Sequence, residues 1–189
     1  MASSINALTT GSGGVITTAD NSGNLNIQSG GSTKIAVTSA GVAVTGLSKA
    51  SLPTGSVLQV VTKTDTANVT TSSSTFVTTG TYHSITPLYA SSKILIIING
   101  VADNRSAART ANTTIYRDST NLAPTYGLTV CYGASTRMCS SVTMVITDSP
   151  NTTSSVTYSA YIRCQDGSGI VEWNGQSITN TVTLMEIAA

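Results

Sequence analysis

Residues 93–100 read KILIIING, and Ile94 to Ile98 are the longest purely aliphatic run in the chain. A strand with one wet face alternates apolar and polar residues. An unbroken aliphatic run ending in Asn99-Gly100 instead suits a strand covered on both faces. It is far too short to cross a bilayer. The stretch therefore predicts a central strand over 93–101, and the rest of the chain must supply its neighbours.

Such neighbours recur on both sides. SSVTYSAYIR (154–163) alternates Val156, Tyr158, Ala160 and Ile162, and NTVTLMEI (180–187) sets Val182 and Leu184 against Thr183, Met185 and Ile187. The full set of expected strands is 56–63, 75–84, 93–101, 112–117, 126–133, 138–147, 154–163, 170–173 and 178–187. The breaks TPLYASS (86–92), SPN (149–151), DGSG (166–169) and NG (174–175) carry turn chemistry. No segment keeps a helical period. Strands at this spacing predict an all-β fold over 56–189: an antiparallel β-sandwich of jelly-roll type.

Upstream, LNIQSGGSTKIAVTSAGVAVTG (25–46) has a different texture. Leu25 and Ile27, Ile35 and Val37, and Val42 and Val44 are alternating pairs separated by Gly-rich turns. Each pair fits a short strand with one apolar face, and a small hairpin is marginal alone in water. Nothing nearby can cover those faces, so another copy of the chain is the simplest cover. The expectation is a short intertwined trimeric β shaft over 24–47, with the six aliphatics at its axis. Residues 1–23 are small, polar and without periodicity, and read as an extended arm ordered by what it docks on. SKASLPTG (48–55) reads as a linker.

Composition agrees with a β-protein. Charged residues are 9%, against about 25% in an average soluble chain. Ser and Thr make up about a third of the residues and serve as the polar surface in place of charge. Net charge is +1 with no basic cluster, which argues against nucleic acid and anionic membranes as partners. The opening MASSINALTT lacks the basic and apolar regions of a secretory signal, so synthesis in a cytoplasm and no membrane insertion are expected. Cys131, Cys139 and Cys164 are odd in number and read as reduced thiols, although Cys131 and Cys139 could face each other across a hairpin.

PTGSVLQVVTKTDT (53–66), SITPLYASSKILIIING (84–100), YRDSTNLA (116–123), TDSPNTTSSVTYSAYIR (147–163) and TLMEIAA (183–189), with the opening quoted above, resemble a β-domain of tailed-phage virion proteins, as carried by marine and cyanobacterial phages. The resemblance spans most of the chain. It implies a virion component made in a host bacterial cytoplasm and assembled as a homotrimer. Residues 1–23 would anchor it to other virion proteins, of tail or capsid, and a C-terminal knob would face outward. It implies no catalytic residue. Long fibres have far more shaft than 24–47 provides. The function expected is therefore a short fibre or spike, with host-glycan adhesion as a candidate activity. The alternative is a capsid decoration protein that stabilises the head.

The chemistry-bearing residues do not form an enzyme motif, and no cofactor or metal is expected. His83 is the only histidine, and no nucleophile elbow accompanies it. Cys131, Cys139, Cys164 and His83 lack the CxxC spacing of zinc sites. Asp103-Asn104 and Asp166 match no calcium loop. Asp118 and Asp148 read as caps of their own turns. The eight acids cannot be paired from sequence as glycosidase carboxylates. Trp173 either packs in the sandwich or stacks on a sugar, and Tyr82, Tyr89, Tyr126, Tyr132 and Tyr161 pose the same choice. Arg105 and Arg109, in DNRSAARTAN (103–112), form the densest positive spot. Trp173, Tyr126, Tyr132, Arg105 and Arg109 are thus the candidate glycan or subunit contacts.

Overall fold

The computed structural model describes residues 24–29, 31–45, 52–134 and 137–189. The arm expected over 1–23 and the first part of the linker lie outside the described residues. Two compact units emerge, Met1–Ser51 and Leu52–Ala189, and their boundary falls inside the expected linker. The linker's end belongs to the second unit: Gly55 N–H donates to the Ala188 carbonyl at 2.8 Å, and Ala188 N–H donates to the Ser56 carbonyl at 2.9 Å.

The first unit is a three-stranded antiparallel meander of β1 (Leu25–Ser29), β2 (Ser32–Thr38) and β3 (Gly41–Val44), in that order. Its turns fall at the Gly-rich breaks, and Gly31 (φ 76°) and Gly41 (φ 125°) take conformations that side chains resist.

The second unit contains β4 (Val57–Asp65), β5 (Val69–Thr71), β6 (Val77–Ile85), β7 (Lys93–Asn104), β8 (Arg109–Arg117), β9 (Thr120–Asn121), β10 (Thr129–Gly133), β11 (Met138–Asp148), β12 (Val156–Cys164), β13 (Val171–Trp173) and β14 (Asn180–Ile187). All pairings are antiparallel. No helix occurs among the described residues, so none there is long and apolar enough to cross a membrane. One sheet runs β10-β8-β12-β6, with β9 beside β8. The other runs β4-β14-β7, and β7 is the hub the sequence predicts. Along one edge it pairs with β11 from Ile94 to Asn104. Its other edge is shared by β14, opposite 93–99, and β13, opposite 102–104; β5 extends the sheet beyond β13.

The two sheets form a β-sandwich whose core draws on both. Ile94, Ile96, Ile98, Met144, Val182 and Leu184 come from one; Ile85, Ile115, Tyr158, Ala160 and Ile162 come from the other. Each of the isoleucine, leucine, valine and methionine side chains contributes about 1.5–3 kcal/mol when fully buried. Leu95 and Ile97 point to the opposite face of β7 and are only half-buried. The hub is thus fully covered on one face and partly on the other, where the sequence predicted burial on both.

Two points differ from the sequence reading. β5 and β9 are additional to the expected strands and too short for periodicity to register. Cys131 and Cys139, which could have faced each other across a hairpin, do not: β10 pairs with β8 and β11 with β7. The chain changes sheets between them. All three cysteines are free; Cys131 and Cys164 are buried and Cys139 is exposed.

Candidate functional site

The register of the first unit arranges its six aliphatics. Leu25 lies opposite Val37, and Val37 lies opposite Val42. Ile27 lies opposite Ile35, and Ile35 lies opposite Val44. Directly opposed residues share a face, as do residues two apart on a strand. All six therefore make two rows of three on one face of one small sheet. That face is open in a single chain: Leu25 is 50% exposed, Val42 66% and Val44 46%. Only Ile35, in the middle strand's centre, is half-buried.

The sandwich sorts the other candidates. Trp173 is fully buried in the core. Its indole Nε1–H donates to Thr81 Oγ1 at 3.1 Å, and its ring lies against Gly100, where a Cβ would collide with it. As a surface contact for a glycan it is ruled out. Tyr126 and Tyr132 are 59% and 54% exposed. Tyr82 is exposed beneath Lys63, whose ammonium sits 4.0 Å from the ring centre. Tyr161 is half-buried and stacks on Tyr116, with ring centres 3.8 Å apart.

Arg105 and Arg109 do not form a positive patch. Arg109 Nη1 donates to Asp166 at 2.9 Å, and Arg105 pairs with Glu172 and lies 3.9 Å from Asp103. Here the fold assembles a cluster that sequence reasoning missed. Asp103 on β7 stands opposite Glu172 on β13 and Cys139 on β11. Both carboxylates are buried. Arg137 donates its Nε to Asp103 at 2.8 Å and its Nη2 to the same oxygen. Glu172 also accepts from Thr70 at 3.2 Å and Asn68 at 3.3 Å. Two carboxylates side by side invite a glycosidase comparison, but a guanidinium takes up each one. Alternation explains the cluster only once β13 is paired with β7: with Ala102 and Trp173 pointing inward, Asp103 and Glu172 share the outward face.

Asp148 and Asp118 also depart from expectation. Asp148 does not cap its own turn; it accepts from Arg117 at 2.9 Å and from the Tyr158 hydroxyl at 2.7 Å. Burial pushes the Tyr158 hydroxyl well above its ordinary range, and the bond to Asp148 adds to the shift. Asp118 accepts from the Thr157 N–H on β12 at 3.0 Å. His83 lies on β6 opposite Tyr158. Among the described residues, no three His, Cys, Asp or Glu side chains are grouped so as to hold a metal ion.

No known family's model matches this chain, and no curated protein matches it.

Proposed function

We propose that this chain is a non-enzymatic structural protein of a tailed-phage particle. In this reading it is a homotrimeric short fibre or spike. Three copies of the β1–β3 sheet close their apolar faces around a common axis. Residues 1–23 dock on other virion proteins, and the sandwich is displayed outward. The observation that carries the reading is the two-by-three aliphatic grid, open in one chain. Five exposed aliphatics around a half-buried Ile35 leave so small a sheet without a core of its own among the described residues. Three such sheets facing inward make a closed prism in which every copy is equivalent. The sequence resemblance supplies the particle.

The sandwich fits the knob role in its strand order. Counting β4, β6, β7, β8, β10, β11, β12 and β14 as eight successive strands, the sheets read first-eighth-third-sixth and second-seventh-fourth-fifth, the order of a jelly roll. Its exposed Tyr126 and Tyr132 are the rings on offer for stacking on a host glycan.

An image of the intact particle tests this. A few copies at the tail are expected; many copies over the head lattice would instead make it a decoration protein, and absence from the particle would overturn the proposal. Glycan binding by the purified protein, lost in Tyr126→Ala and Tyr132→Ala, tests adhesion separately.

A further inference from the structure

The two outer faces of the sandwich are treated differently. On the β10-β8-β12-β6 sheet, Asn112 and Thr114 point outward yet are fully buried. The chain covers them with its own 118–128 segment: Thr114 Oγ1 donates to Asn121 at 2.8 Å, and Leu128 N–H donates to the Thr113 carbonyl at 2.7 Å.

The other sheet's outer face has no comparable cover among the described residues, and it is aliphatic. One cross-strand row reads Val60, Met185, Leu95 and Thr147. The next reads Thr62, Thr183, Ile97 and Val145. Val57 adds to the same end of the sheet, opposite Ile187. Val57, Val60 and Val145 are each more than half exposed. Neither row carries a charge; an outward sheet face normally alternates to polar residues. Farther along, the face turns to threonine and then to the neutralised Asp103–Glu172 cluster.

We propose that this aliphatic end is a second self-association surface, packed against the same region of another copy. The inference rests on the trimeric reading above. Two rows without a charge, with Lys93 alone at their end opposite Ile187, give little purchase to a partner chosen by charge. A second copy, by contrast, is already tethered nearby: Val44 ends the first aliphatic grid and Val57 begins this patch, on either side of the 48–55 linker. Copies joined by their first units meet at an effective concentration on the order of millimolar, so a modest apolar patch suffices to hold the sandwiches together. The exposed valines would then be buried in the assembly.

The test uses the full chain with Cys139→Ser, to remove the exposed native thiol, and Thr183→Cys at the centre of the face. A short bis-maleimide should join chains through residue 183 at dilute protein, roughly tenfold faster than in a Tyr126→Cys control. Adding Val60→Lys and Val145→Lys should abolish that cross-link while light scattering still reports the parent's oligomer. An intact oligomer without the cross-link in the Thr183→Cys chain that keeps Val60 and Val145 overturns this inference alone, whether the face is bare or covered by residues 1–23 of its own chain. A monomeric parent overturns both this and the trimer. If Thr183→Cys disturbs the buried Trp173 emission, Thr143→Cys on the same face replaces it, with the same two outcomes.

Discussion

Glu186 shows how one side chain holds a turn. It is fully buried. Its carboxylate accepts from Gln59 Nε2 at 2.6 Å, Leu88 N–H at 2.9 Å and Tyr89 N–H at 3.2 Å. Burial drives the carboxyl upward, but the bonds from Leu88, Gln59 and Tyr89 outweigh it and hold the group below its ordinary value of 4.5. A carboxyl lowered by folding stabilises fully above its unfolded value, and that contribution drains as pH falls through the folded value. Glu186→Gln should therefore cost about 1–3 kcal/mol at pH 7 and less at pH 3. Urea denaturation at both pH values measures this, and equal losses would contradict it. Trp173 offers a second test at this scale, because it is the only tryptophan. Its emission should be blue-shifted, resistant to acrylamide and unchanged by any glycan that binds. Ready quenching would return it to the surface.

At the scale of strands, periodicity located most elements. All nine expected strands of the second unit form, with shifted ends: 112–117 begins at Arg109, and 93–101 runs on to Asn104. The extension of β7 carries Asp103 and Asn104, which alternation cannot distinguish from turn residues because both are buried polar groups with tertiary partners. Sheet membership was not legible either, since it depends on which edge each strand finds. That is why Cys131 and Cys139, close in sequence, lie in different sheets. A consequence can be measured. Burial raises the Cys139 thiol above its ordinary value, and the neighbouring Asp103 carboxylate raises it further, against the opposing pull of Arg137. A disulfide-exchange reagent at pH 8 should find one accessible thiol per folded chain, reacting more slowly than a free thiol. Cys131 and Cys164 should react only on unfolding. Loss of two thiols together under mild oxidation would mean that Cys131 and Cys139 do meet.

At the scale of the molecule, the candidate assembly face was legible because it needs only alternation and turn spacing; the pairing of Leu25 with Val37 and of Val37 with Val42 then places the residues on one face. The ion cluster and the aliphatic outer face of the sandwich were not, because each gathers residues from strands far apart in sequence. The proposed assembly depends on the first of these: a grid of six aliphatics, five of them exposed in one chain, buried by its copies. Size-exclusion chromatography with light scattering on the full chain tests this most directly, alongside Ile35→Asp, which puts a charge in the middle of the grid. The parent should weigh three times the 19.3 kDa chain and the variant should weigh one, with unchanged Trp173 emission showing that the sandwich still folds. A parent that remains a 19.3 kDa monomer at high concentration would contradict the account.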